Sequence, residues 1–172
     1  MNKVLIVAEH AGGRLNPATA KCVSCAATIP DAEITVAVLA KDGADVAAQA
    51  SALEGVSKVL LVENPANAAP LAAVLAPQLA KLAEGFGYVL GPSTTFARDL
   101  MPRVAALLGV PQLSDVMAVE SATRFKRPVY AGNAITTVEV TAGTQVVCTV
   151  RVASYGAAGT GAAAPVEKRT LD

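Results

Sequence analysis

The chain has 172 residues, 53% of them apolar, enough to bury a full core as one domain. Its 14 basic and 14 acidic residues cancel, so no general electrostatic pull toward nucleic acid or anionic membrane is expected. Aromatic residues make up only 3%, which disfavours an aromatic-lined ligand pocket or a base-stacking surface.

The first signal is Lys3 to Glu9, a continuous apolar run of the kind found in a strand covered on both faces. Met1-Asn2-Lys3 lead straight into it, which leaves no room for a signal peptide and points to the bacterial cytoplasm. Every apolar run is strand-length or an interrupted helix, shorter than the roughly 18 residues a membrane span needs, so no membrane insertion is expected. His10 to Asn16 reads as a turn-rich loop. Asn16-Pro17 then supplies an N-cap and a proline for the first helical position, opening a helix to about Ile29.

Glu33 to Ala40 reads as a second strand, Asp45 to Leu53 as a short helix and Ser57 to Val62 as a third strand. Pro70 to Ala83 has helical spacing, with Leu71, Val74, Leu75, Leu79 and Leu82 on one stripe. Tyr88 to Gly91 is a fourth strand, Ser93 to Leu108 its following helix stopped by Gly109, and Gln112 to Val119 a fifth strand. Strands and helices alternate to this point, which predicts a parallel sheet with helices on both faces.

After Glu120 the pattern changes. Thr123 to Ala131, Ala134 to Val140 and Gln145 to Val152 are strand-like segments joined by short Gly/Asn turns, which predicts an antiparallel meander extending the sheet edge. Its charged residues Arg124, Lys126 and Arg127 suggest that one face meets water or another chain. From Ala153 the composition turns to Ala, Gly, Ser and Pro, so the expected organisation is an α/β domain over 1–152 and a linker over 153–172.

Two segments carry a family resemblance: LGPSTTFARDLMPRVAALLGVPQLSD from Leu90 to Asp115, and RPVYAGNAI from Arg127 to Ile135. In these motifs, their order and their separation, the chain resembles the alpha subunit of an electron-transfer flavoprotein, amino-terminal domain. The resemblance implies a three-layer Rossmann-like α/β fold followed, in family members, by a second domain that holds most of the flavin. It further implies a heterodimer with a beta subunit that carries FAD, takes electrons from primary dehydrogenases such as the acyl-CoA dehydrogenases of fatty acid beta-oxidation, and passes them to a quinone-linked oxidoreductase. The beta subunit has the same fold and holds AMP, whereas the alpha subunit's copy is understood as having lost that nucleotide. This chain would then be a scaffold, an electron-carrier domain without a catalytic site and with no FAD of its own.

The residues themselves leave an alternative open. In an open α/β sheet, ligands favour the crevice beyond the carboxyl ends of the strands where the chain order reverses. Here that lies between the first and fourth strands, so the backbone amides and hydroxyls of Ser93, Thr94 and Thr95 could receive a phosphate or carboxylate, with His10 and Arg14 opposite. Such a site would suit a free-standing adenine-nucleotide-binding module of the universal-stress type. The chain has neither G-x-G-x-x-G nor a P-loop, and Ser93 or Thr94 serves equally as an ordinary N-cap.

No catalytic constellation stands out: His10 is the only histidine, Asp115 lacks a partner at fixed spacing, and no nucleophile elbow occurs. Three cysteines exclude a complete disulfide framework, and Cys22 and Cys25 fall inside a helix, so no metal site is expected. Arg103, Arg127 and Tyr130 are candidate contacts to a docked domain, with surface pairing or strand packing as the alternative. The Tyr130 to Asn133 turn requires special backbone angles.

Overall fold

The computed structural model describes residues 1–171. It begins with strand β1 (Asn2–Val7), a hairpin of β2 (His10–Ala11) and β3 (Arg14–Leu15), helix α1 (Pro17–Ala27), strand β4 (Ala32–Ala40), helix α2 (Ala44–Ser51) and strand β5 (Val56–Glu63). Helix α3 (Ala72–Leu82), strand β6 (Tyr88–Pro92), helix α4 (Thr95–Leu108) and strand β7 (Gln112–Val116) follow. The chain then forms β8 (Ala118–Val119), β9 (Arg124–Val129), β10 (Ala134–Glu139), β11 (Val146–Val150) and β12 (Val166–Lys168).

Seven strands form one sheet in the order β12-β5-β4-β1-β6-β11-β7, and every neighbouring pair is parallel. Strand β1 shows why the fold has three layers. Its side chains alternate between the faces, so Val4 and Ile6 join the core under α1 and α2 while Leu5 and Val7 join the core under α3 and α4. All four are at 0% exposure. The chain order reverses between β1 and β6, as the sequence predicts.

Local chemistry fixes the helix ends. Asn16 accepts a hydrogen bond from the Ala18 amide at 2.9 Å with Pro17 beside it, starting α1. Gly109 stops α4 with a left-handed φ of 69°, a conformation that costs glycine little. Between its ends α4 buries Ala97, Leu100, Met101, Val104 and Ala105 against the sheet. Leu71 departs from the predicted stripe, because it caps α3 instead of lying within it and is 60% exposed. No helix among the described residues is long and apolar enough to cross a membrane.

The antiparallel part differs from the predicted meander. Strands β8, β9 and β10 form a separate three-stranded sheet, whereas residues 146–150 insert between β6 and β7 in the parallel sheet. The reason is in the residues: Val146-Val-Cys-Thr-Val150 is a continuous run buried at every position, a signature of a doubly covered strand and not of an exposed meander. Strand β10, by contrast, is exposed at Ala134 through Thr137.

Residues 153–171, expected as a linker, are laid along the domain. Ala158 donates to the Ala20 carbonyl at 3.0 Å, Gly161 to Ala52 at 2.8 Å and Ala164 to Ser51 at 2.9 Å, and β12 then pairs with β5. Small residues permit this approach, since a Cβ on Gly161 would lie 3.2 Å from Glu54 Cα. A composition too poor to fold alone is well suited to lying flat on a fold that already exists.

Candidate functional site

The carboxyl ends of the parallel strands carry two distinct features. At the β1/β6 crevice, Thr94 Oγ1 donates to Glu9 Oε2 at 2.7 Å, and Thr94 is the N-cap residue of α4. The protein thus sets its own carboxylate beside the helix start, where it repels a second anion.

Of the five residues expected to share an anion site, Ser93, Thr94 and Thr95 stand together at the start of α4, while His10 and Arg14 open onto other depressions. His10 Nε2 sits 2.9 Å from the Leu39 carbonyl and opens onto a depression with Lys41, Asp42 and Asn67. Arg14 is exposed over a groove beside Asp45 and Gln49 on α2. Gln49 draws the hairpin there, donating to the Gly13 carbonyl at 2.8 Å and accepting from the Leu15 amide at 3.0 Å. The β1–α1 loop is thus a hairpin fastened to α2. Thr95 is exposed at the first turn of α4, and Ser93 faces a different cleft.

That cleft, about 560 Å³ in volume, lies between α4, the ends of β7 and β11, and the turn after β9. Arg98 reaches it from α4, Arg127 from β9 and Arg151 from the residue following β11, with Asp115 and Tyr130 also on its wall. Arg127 Nε donates to the Ser114 carbonyl at 2.8 Å, and Arg151 Nη1 donates to Ser154 Oγ at 3.0 Å. Asp115 has a φ of 60° at the irregularity between β7 and β11, and its amide donates to Thr149 Oγ1 at 2.8 Å. The Tyr130 turn has the special angles the sequence requires: φ is 51° at Tyr130, 52° at Ala131 and 88° at Gly132.

Of the three residues expected at a domain contact, Arg127 and Tyr130 meet at this cleft. Arg103 is exposed on α4 and does not line it. Sequence reasoning missed Arg98, Gln112 and Arg151. Arg151 had a usable signal, since a residue just past the carboxyl end of a parallel strand is where sites form, but residues 146–150 read as part of a meander. Arg98 lies one turn into the helix whose start had been singled out.

The cleft is lined by guanidinium, hydroxyl and amide groups, the Asp115 carboxylate and the apolar Pro102, Pro128 and Val129, and its one aromatic ring, Tyr130, is 83% exposed, so no pair of rings stands there to sandwich an isoalloxazine.

Cys22, Cys25 and Cys148 are all buried in the core. Burial pushes the Cys25 thiol up to about 11 and the Cys22 and Cys148 thiols well above their ordinary 9.0, so none is a ready thiolate. No group of three or more His, Cys, Asp or Glu side chains among the described residues is placed to hold a metal ion.

Compared with known proteins, residues 4–172 match the family model for the electron transfer flavoprotein domain. The chain belongs to the electron-transfer flavoprotein family. It is 43% identical over 166 residues to the electron transfer flavoprotein subunit alpha of Pseudomonas aeruginosa, covering 96% of this chain and 53% of that protein. The subunit alpha of Paracoccus denitrificans is 42% identical, covering 95% of this chain and 52% of its own length. The probable mitochondrial subunit alpha of Caenorhabditis elegans is 34% identical, covering 97% and 50%. The chain spans about half the length of these relatives.

Proposed function

We propose that this chain forms the scaffold domain of the alpha subunit of a heterodimeric, FAD-containing electron-transfer flavoprotein. The observation that carries this reading is the likeness to alpha subunits across nearly the whole chain. The flavin would be held mainly by the remainder of a full-length alpha subunit together with the beta subunit. The assembly would carry electrons from primary dehydrogenases, such as acyl-CoA dehydrogenases, to a quinone-linked oxidoreductase in the cytoplasm. The domain would perform no chemistry of its own, and its part would be to seat the beta subunit and the flavin domain. The β9–β10 hairpin, with Arg127 on it and Tyr130 and Ile135 exposed at 83% and 57%, is the surface we assign to that contact, together with Arg103, exposed on α4.

Size-exclusion chromatography of the chain with a beta subunit of this family tests the proposal. A stable one-to-one complex is expected, and the chain alone is expected to purify colourless. Failure to associate, or a flavin spectrum from the chain by itself, would count against it.

A further inference from the structure

We propose that the cleft between α4 and the Tyr130 turn is a binding site for a phosphate-bearing small molecule, held by Arg98, Arg127 and Arg151. The cleft shares Arg127 and the Tyr130 turn with the surface assigned above to a docked partner, so ligand and partner would compete for it; titrating the chain alone makes the outcome independent of that reading.

The charge distribution supplies the first argument. Three guanidinium groups and one carboxylate, Asp115, leave the cleft with a formal +2 (3 − 1), in a chain whose overall charge is 0. Among the described residues none of the three arginines forms an ion pair with a carboxylate. Arginines elsewhere do so: Arg124 meets Glu120 at 3.0 Å and Arg169 meets Glu167 at 2.8 Å. Unpaired guanidinium groups gathered from three separate elements repel one another unless an anion joins them.

Their support supplies the second. Arg127 spends its Nε on Ser114 and Arg151 one terminal nitrogen on Ser154, which orients both planes and leaves further donors for a ligand. A group held this way loses little conformational freedom on binding. Planar forks from several directions suit a tetrahedral phosphate, whose oxygens accept several charge-assisted bonds at once.

The backbone supplies the third. Four non-glycine residues in the chain have positive φ, and three of them, Asp115, Tyr130 and Ala131, line this cleft. Such conformations are strained for residues with a Cβ and cluster at sites that need them. On the same wall Gln112 Oε1 is buried with no hydrogen-bond partner, while its Nε2 donates to Ser114 Oγ at 3.1 Å. A volume of about 560 Å³ suits a small organic phosphate such as a short phosphate ester.

The test is a titration of the chain, followed by amide NMR shifts and calorimetry, with inorganic phosphate, pyrophosphate and β-glycerophosphate at constant ionic strength. Saturable binding is expected, with shifts at Asp115, Tyr130 and Thr149. Removing a charge-assisted contact worth about 1.5–3 kcal/mol corresponds to a loss of roughly tenfold or more, so Arg98→Gln, Arg127→Gln and Arg151→Gln should each weaken binding that far. Arg14→Gln and Arg124→Gln should leave it unchanged. Arg98 is exposed on a helix, so its variant stays folded and informative even if loss of the Arg127 to Ser114 bond disturbs the hairpin. Non-saturating titrations, or equal losses in all five variants, would overturn the proposal. So would a cleft indifferent to all three phosphates whose Arg98→Gln variant loses the beta subunit, because that result assigns it to a protein carboxylate.

Discussion

The two motifs that reveal the family sit in opposite physical settings. Helix α4, from the first motif, buries Leu100, Met101 and Val104 at 0–1% exposure and packs on the central sheet. The turn of the second motif leaves Tyr130 83% exposed and holds two non-glycine residues in left-handed backbone. The apolar face of the first motif is accounted for by packing, whereas its Arg98 and Asp115 and the turn of the second motif are not. A residue that is neither buried nor relaxed where it stands points to something the chain meets, and such residues from both motifs converge on the cleft.

Substitutions separate the two settings, and the core gives the largest effect. Leu100→Ala should destabilise the fold by about 2–5 kcal/mol, read from urea denaturation, because a residue 1% exposed leaves a cavity that its neighbours fill only partly. A cost below about 1 kcal/mol would mean that α4 is more loosely held than its burial implies. Gly91→Ala comes next. Its Cβ would lie 2.9 Å from Ala97 Cβ and 3.0 Å from Met101 Cγ, so α4 must shift, at about 1–3 kcal/mol by the same measurement.

The core thiols respond to alkali. Burial raises Cys22, Cys25 and Cys148 above their ordinary 9.0, with Cys25 at about 11, so the native state holds the neutral thiols more strongly than the unfolded chain does. Their contribution is therefore complete below pH 9.0 and is lost as pH rises through the folded values. A thiol reagent at neutral pH should label none of the three until denaturant is added. Rapid labelling of Cys22 or Cys25 in the native protein would show that α1 opens locally, and of Cys148 that β11 does.

Tyr130→Gly probes the hairpin and has the opposite sign. Glycine adopts a φ of 51° without strain, so relief of the turn outweighs the entropy glycine adds to the unfolded chain, and stability should rise by about 0.5–1 kcal/mol. A loss of stability would mean that the exposed ring is held by contacts that offset its backbone.

Much of this architecture is legible in the residues. The Val4 to Val7 run, the Asn16-Pro17 helix start and the Gly109 stop are local signals, and each acts where it is read. Two elements were hidden because their meaning depends on distant partners. Val146 to Val150 is a core strand only because β6 and β7 flank it, and the small residues after Ala153 pack only because Ala20, Ser51 and Ala52 offer carbonyls. The cleft was hidden for the same reason. Arg98, Arg127 and Arg151 are spread over more than fifty positions, and the topology that assembles them includes the strand that was misplaced.

The smallest expected effect lies on the far side of the hairpin. Glu120 accepts from Lys126 at 2.9 Å and from Arg124 at 3.0 Å, and the Lys126 hydrogen bond chiefly holds its carboxyl below the ordinary 4.5. A lowered folded value favours the ionised native state, so this contribution is complete above pH 4.5 and lost as pH falls through the folded value. Because the groups are solvated, the effect is small and screened by salt. Glu120→Gln should leave stability near neutral pH almost unchanged and flatten only the acid limb below pH 4.5 in low salt, followed by thermal denaturation at stepped pH. If the variant instead lost as much stability as Leu100→Ala, the hairpin would be an integral part of the fold and the contrast with α4 would fail. A flattened acid limb alone would show that these exposed charges stay within the β8–β9 hairpin, whose hold on the domain is the buried Phe125.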